Sequence, residues 1–376
     1  MMKNHSQPAV VDIFCGIGGL SHGFFLEGFN VVAGIDNDPT CEFAFKENND
    51  AKFICDDIKN LTVAKIKKLY PKNSIKILVG CAPCQPFSKY TSGFKTKELD
   101  SKWQLLKSFT KIIEGVQPDI VSMENVPQLA KYDKNKVYSD FINTLLKNGY
   151  HISDPHKIVY CPEYGVPQHR KRLVVLASKF GEIELIPPIY HQDNFLTVRT
   201  AIGGLPRIED GEALESDPFH RSQKLSPLNK ERMRNTTEGG SWRDWPDRLK
   251  LECHKNLSGS EFHDVYGRMK WDGQAPTLTT HCTGLGNGRF GHPEQDRAIS
   301  LREAAILQSF PPKYKFDIRN DNNKLTLADY QRHIGNAVPV ALGQAIAKSI
   351  KQHLQNHLES HGYKKTSHPR KDEISR

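Results

Sequence analysis

The stretch Gly80-Cys81-Ala82-Pro83-Cys84-Gln85-Pro86-Phe87-Ser88 follows the apolar run Ile75 to Val79 and stops it with two prolines. A short β-branched run ahead of Gly/Pro-rich sequence reads as a buried strand ending in a rigid loop. The carboxyl end of such a strand is where an open α/β sheet places its chemistry, and Cys84 stands there. The fold class expected from this stretch is α/β.

Upstream, Ala9 to Phe14 is an apolar run broken by Asp12 that opens into Cys15-Gly16-Ile17-Gly18-Gly19-Leu20-Ser21. Leu20, Phe24 and Phe25 then begin a helical spacing. Strand, glycine turn and helix bring backbone close to a nucleotide-like ligand, but the dinucleotide fingerprint needs a third glycine where Ser21 stands. Gly16, Gly18 and Gly19 therefore suit a nucleoside site without a pyrophosphate, or a plain tight turn. Asn30 to Ile35 is a second run and ends in Asp36, whose carboxylate suits ribose hydroxyls or a cap on a helix starting near Pro39. Lys52 to Cys55 is a third run, followed by Asp56 and Asp57. One of these suits an adenine amino group; the other caps a helix expected over Leu61 to Leu69.

Downstream, Phe87 to Leu99 lacks a periodic apolar face and reads as a loop of lid length. Trp103 to Val116 regains helical spacing, and Asp119 to Met123 is a further strand ending at Glu124-Asn125-Val126-Pro127. A strand, crossover helix and strand run side by side and parallel, so Cys84 and Glu124 are expected at one sheet edge. A helix closes at Gly149, His151 to Tyr160 reads as extended, and Gln168-His169-Arg170-Lys171-Arg172 leads into an interior strand, Leu173 to Ala177. The first domain is expected to span 1–185. From 186 to 288 periodicity weakens, and Arg232, Arg243 and Arg248 mix with Trp242, Trp245 and Trp271, a composition suited to phosphate contact and base reading. Asp296 to Phe310 reads as an amphipathic helix, and Gly335 to Pro339 as a turn feeding a final helix, Val340 to about Leu358. The polar tail, 359–376, reads as disordered.

The chain has 376 residues, with 52 Lys and Arg against 43 Asp and Glu. That balance leans toward a polyanionic partner. No apolar run reaches membrane-spanning length and Met1 to Pro8 is short and polar, so a cytoplasmic protein with no membrane partner is expected. Eight cysteines are too sparse for a disulfide scaffold. Cys81 and Cys84 form a Cys-x-x-Cys pair, but the other cysteines are isolated and no second pair completes a zinc site, so no metal is expected. A redox dithiol gives no reason for the glycine-rich first turn.

Nucleophilic addition uses more of the sequence. A thiol near its free pKa of about 8.5 needs cations or backbone N–H groups to favour thiolate, and Arg170 and Arg172 supply candidates. A protonated Glu124 donates to a ring nitrogen while accepting from an exocyclic amine, which is the N3/N4 edge of cytosine. Attack by Cys84 on C6 then places electron density on C5, where an electrophilic methyl group is attacked; loss of the C5 proton expels the enzyme.

These residues resemble the DNA (cytosine-5)-methyltransferases, especially those of bacterial restriction-modification systems. The match runs in order through Asp12 to Gly19, Asp36, Asp57-Ile58, Gly80 to Ser88, Glu124 to Val126, Gln168 to Arg172, Arg302-Glu303 and Gly335 to Pro339. The resemblance implies a doubly wound, Rossmann-like domain binding S-adenosyl-L-methionine, a smaller irregular target-recognition domain, and a segment at 289–358 returning to the first domain. It implies Cys84 as nucleophile, Glu124 as the N3/N4 clamp, Arg172 addressing the cytosine O2 and Arg170 arranging the site. Phe14, Gly16, Gly18, Gly19, Leu20, Asp36, Asp57, Ile58, Asn336 and Val338 become cofactor residues, which decides between Asp56 and Asp57; Gln85, Ser88 and Gln168 fall on the substrate side. The implied partner is double-stranded DNA whose target base is flipped, with a restriction endonuclease as functional counterpart, a monomeric state, and association with the nucleoid when bound. One departure is Asp100-Ser101-Lys102, where relatives often carry Arg as the third residue. The same scaffold modifying RNA cytosine, or a non-catalytic DNA-binding module, are the alternatives.

Overall fold

The computed structural model describes residues 6–83, 96–131, 136–255, 262–316 and 325–360. Cys84, Gln85 and Ser88 lie outside these, as do most of the expected 87–99 loop and the tail beyond Ser360.

Seven strands form the central sheet: β1 (Ser6–Ile13), β2 (Asn30–Asp36), β3 (Lys52–Cys55), β4 (Ser74–Gly80), β5 (Ile120–Asn125), β6 (Ile158–Tyr160) and β7 (Lys171–Ser178), in the order β3-β2-β1-β4-β5-β7-β6. The first five are parallel and β7 is antiparallel to both its neighbours. The chain reverses its direction of travel between β1 and β4, so both carboxyl ends open on one crevice. β1 and β4 read as near-continuous apolar runs because helices cover both faces: Val10, Val11, Ile77 and Leu78 are fully buried. One face packs against the helices Thr96–Val116 and Val137–Lys147. The other packs against Gly19–Leu26 and Val340–Ser360. These last two helices cross where a Cβ on Gly23 would stand 2.4 Å from the Gly343 carbonyl carbon, so a larger side chain at this crossing would force them apart. The end of the chain thereby returns beside the first strand.

Several elements differ from the sequence reading. The helix after β4 starts at Thr96, so residues 96–99 are helical rather than loop: the sequence reading followed the apolar spacing, which begins only at Trp103. The helix expected over Leu61 to Leu69 is only Val63–Lys67 and is capped by Thr62. His151 to Tyr160 contributes only the short β6. The expected amphipathic helix at Asp296 to Phe310 is the seven-residue Leu301–Leu307, buried on every side. Gly335 and Asn336, expected in a turn, end a helix, Leu327–Asn336, and Glu359 and Ser360 belong to the final helix rather than a tail.

Between residues 186 and 300 regular structure is sparse: a two-stranded sheet, β8 (Ala213–Leu214) with β9 (Asp217–Arg221), and short helices. Buried arginines organise it. Arg268 donates to the carbonyls of Thr236, His292 and Met233 and pairs with Asp296. Arg297, fully buried, forms a two-pronged pair with Glu303 at 2.8 and 2.7 Å.

Candidate active site

β4 and β5 lie in parallel register with Gly80 beside Met123. The next residues, Cys81 and Glu124, are therefore neighbours despite 43 positions of separation. The Cys81 thiol donates to Glu124 Oε2 at 2.7 Å. Arg172, entering β7, brings its Nε to 2.9 Å from Oε1. Glu124 is 2% exposed, and Oε1 accepts no aligned hydrogen bond among the described residues, so Arg172 is an ionic neighbour there. Asn125 donates to the Ala82 carbonyl and fixes the chain leading to Cys84.

Gln168, Arg170 and Arg172 alternate along the approach to β7. Gln168 is fully buried: its amide donates to the Leu307 carbonyl and Gln308, and its oxygen accepts from the Leu278 N–H and Arg170. Its expected place on the substrate side is not met, because both ends of the amide are engaged inside the protein. Arg170 donates onward to the carbonyls of Leu278 and Gly335. The pair braces four separate segments, and of the three residues Arg172 reaches Glu124.

Two adjoining cavities open beyond the carboxyl ends of β1 and β2. The larger, about 220 Å³, is lined by Phe14, Gly16, Leu20, Asp36, Asn336 and Val338, together with Cys81. The smaller, about 40 Å³, is lined by Phe14, Asp36, Asp57, Ile58, Pro83 and Leu105. Phe14 sits at φ 64°, a conformation rare for a bulky residue, at the turn out of β1 where both cavities meet. Asp36 accepts from the backbone N–H groups of Gly16 and Asp38, and burial raises its pKa. It caps no helix; Asp38 caps Pro39–Cys41 instead. Asp56 and Asp57 both line the smaller cavity; Asp57 also caps the short turn Ile58–Asn60, and Asp56 pairs with Lys65. Gly18 and Gly19, expected at the cofactor, line neither cavity. A Cβ on Gly19 would lie 2.2 Å from the Val338 carbonyl oxygen, so its smallness serves the approach of the two chain ends.

The sequence reading missed several lining residues. Asp12 is 1% exposed, accepts from Ser21 at 2.6 Å and lines the larger cavity, and its Oδ1 has no hydrogen-bond partner among the described residues. Burial raises its pKa to about 7. The signal was available: a carboxylate inside an apolar interior strand needs a reason. Arg332 and His333 also line this cavity and both pair with Asp38. Asp38, Cys41 and His333 gather three potential metal-ligating atoms within 4.8 Å of one another, but Asp38 is engaged by Arg332 and Thr40, and burial raises the Cys41 thiol far above its free pKa. That donor set suits an ion-paired clasp.

On the other side of Glu124 an open groove of about 970 Å³ is lined by Gln128, Lys131, Tyr160, His169, Lys171 and Arg172. Glu124 thus stands between two spaces: its partner Cys81 lines the cavity and its partner Arg172 lines the groove.

The family described as C-5 cytosine-specific DNA methylase matches residues 9–352. The Type II methylase M.HgiDII of Herpetosiphon aurantiacus is 51% identical over 341 residues, covering 91% of this chain and 94% of that protein. The Type II methyltransferase M1.HphI of Haemophilus parahaemolyticus is 29% identical, covering 90% and 85%. Among solved structures, a prophage-encoded E. coli protein described as a DNA modification methyltransferase superposes with a TM-score of 0.70 at 22% identity, covering 93% of this chain and 99% of that one. The S. pombe Dnmt2 methyltransferase gives 0.55 at 18%, covering 95% and 100%. These last two establish the likeness of fold.

Proposed function

The chain belongs to the C-5 cytosine-specific DNA methylases and is a DNA cytosine-5 methyltransferase, and from that premise we propose that it flips a cytosine out of a specific duplex sequence and methylates it through a covalent Cys84–C6 intermediate. The observation that supports this reading best is the placement of Glu124 beside the chain leading to Cys84, between a donor-sized cavity and a basic groove.

The family uses S-adenosyl-L-methionine, and the cavities fit it. Phe14 and Ile58 offer apolar surface for an adenine, Asp57 an acceptor for its amino group, and Asp36 an acceptor for ribose hydroxyls. The unpartnered Asp12 Oδ1 suits a cationic ligand. When bound, this molecule supplies an electrophilic methyl group on sulfur.

The chain's own residues do the rest. Glu124, protonated, donates to cytosine N3 and accepts from the N4 amino group; Arg172 addresses O2. The ring is thereby made electron-poor, and the Cys84 thiolate adds at C6. Proton loss from C5 after methylation restores the 5,6 double bond and releases the thiol. A stacked base cannot present both a face and its polar edge, so the target leaves the helix. Lys131, Lys171 and His169 of the groove meet phosphates, and residues 186–288, as a target-recognition domain, read base edges. Gln85 and Ser88 flank the base. We further place the protein in a cytoplasmic restriction-modification pair; no helix among the described residues is long and apolar enough to cross a membrane.

The test is a duplex carrying 5-fluorocytosine at the target, supplied with methyl donor. An adduct resistant to denaturation and mapped to Cys84 is expected; an active preparation that never forms one rejects the covalent route. Bisulfite sequencing of DNA treated with the same preparation identifies the target sequence and the methylated strand.

A further inference from the structure

We propose that Cys81 is a positioning residue for Glu124: its thiol holds Oε2 and so fixes the plane in which the carboxyl meets the cytosine edge, and it does so from the wall of the methyl-donor cavity. The inference rests on the reading of Glu124 as the base clamp.

The geometry is specific. The register of β4 with β5 places position 81 beside position 124, and the thiol lies 2.7 Å from Oε2. The backbone N–H of Cys81 points toward the Ile13 carbonyl, which anchors position 81 to the end of β1. Cys81 also lines the 220 Å³ cavity, which Glu124 does not reach. The two oxygens of Glu124 are therefore unequal: Oε2 accepts a neutral donor that fixes the carboxyl plane, whereas among the described residues Oε1 has only the ionic contact of Arg172. A clamp that must donate through one atom and accept through the other needs its two atoms distinguished before the base arrives. A rotating carboxyl would lose part of its alignment with each turn about its terminal bond.

Among the described residues, the charged and titratable groups facing Glu124 are few. Arg172 comes from β7, with Arg170 behind it, and Cys161 follows β6. Burial raises the Cys161 thiol to about 11 although Arg172 and Arg170 pull it down, so Cys161 stays neutral over the working range. Cys81 is then the group whose replacement changes hydrogen bonding to Glu124 without changing net charge.

In single-turnover methylation with saturating donor and duplex DNA, Cys81→Ala is expected to slow transfer about tenfold, the scale of one hydrogen bond to a charged group, while the dissociation constants for S-adenosyl-L-methionine and DNA change less than about threefold. Cys81→Ser, which keeps a donor, is expected to restore the rate. Should Cys81→Ala fail to fold by circular dichroism, Cys81→Gly takes its place with the same expectation. A wild-type rate in the donor-less variant overturns the inference; so does a loss confined to the dissociation constants, or a Ser variant no better than Ala. Glu124→Gln run alongside separates the two ideas: a wild-type rate there rejects the clamp itself, whereas a dead Glu124→Gln with an unaffected Cys81→Ala rejects only the positioning role.

Discussion

The sheet around β1 and β4 and the region between residues 186 and 310 are held by opposite means. Val10, Ile77 and Leu78 are buried among other apolar side chains, and their backbone groups are satisfied by strand ladders. The later region has little ladder to offer, so many of its carbonyls are satisfied by guanidinium groups: Arg232 on the Leu249 carbonyl, Arg268 on those of Thr236 and Met233, Arg297 on Ile208. An irregular chain still has to pair its buried backbone. Arginine, with five donors in a rigid fork, does for loops what strands do for each other. The difference teaches that one part is specified by pattern and the other by a few particular residues.

The strongest way to break the comparison is to remove one such residue. Glu303, 1% exposed, receives both prongs of Arg297 as well as the backbone N–H of Ser300. Glu303→Ala leaves a buried guanidinium uncompensated and is expected to cost about 3–5 kcal/mol, read as a fall in the denaturation midpoint. A change below 1 kcal/mol would show that the region rests on its apolar clusters after all.

A second test sets the two regions against each other by pH. Burial pushes Glu303 upward, but Arg297 and His292 more than offset it and hold its pKa below the usual range; Asp217 beside Arg302 behaves alike. A depressed folded pKa gives stability that is present above the unfolded value and lost as pH falls through the folded one. Asp12 has the opposite sign: raised by burial to about 7, it favours the folded state most below its unfolded pKa of 3.8, and that contribution is lost as pH rises toward 7. Hydrogen exchange is therefore expected to open residues 186–310 first in acid. In chemical denaturation, Asp12→Asn should remove on the order of 3 kcal/mol of pH-dependent stability between pH 4 and 7. A variant with the wild-type slope would sink that assignment.

The smallest expected effect sharpens the contrast. Ile77→Val within β4 deletes one methylene from an interior strand and should cost about 0.5–1.5 kcal/mol, measured by the same midpoint. In the arginine-held region Arg268→Lys, equally conservative by charge, removes a fork that reaches several carbonyls, and a larger loss than that of Ile77→Val is expected.

The same division explains what could be read from sequence. Strand runs such as Ile75 to Val79 announce themselves by composition, and the adjacency of position 124 to the end of β4 follows from crossover geometry. The helix Leu301–Leu307 was misread because a helix buried on every side has no polar face, and its boundaries lie in capping by Ser300 and Glu303. The helix Leu327–Asn336 was missed because its buried face mixes Tyr330 and Ile334 with the polar Gln331 and His333, and the partners of His333, Thr40 and Asp38, are distant in sequence. Gln168 looked like a contact residue because it shares a motif with Arg172; that both its amide ends are satisfied from residues 278, 307 and 308 is invisible without the fold. Cys81 and Asp12 were visible as oddities, a second thiol and an acid inside an apolar strand, yet each acquires meaning only from the neighbour opposite.

The larger cavity takes one wall from residues 12–20 and another from 332–338, and the Gly23–Gly343 crossing locks the two together. During synthesis on the ribosome, all seven strands of the central sheet and Glu124 emerge before the second wall exists. A chain interrupted between residues 179 and 331 would hold the whole sheet yet lack that wall. The cavity is therefore completed late, when Val340–Ser360 packs on Gly19–Leu26.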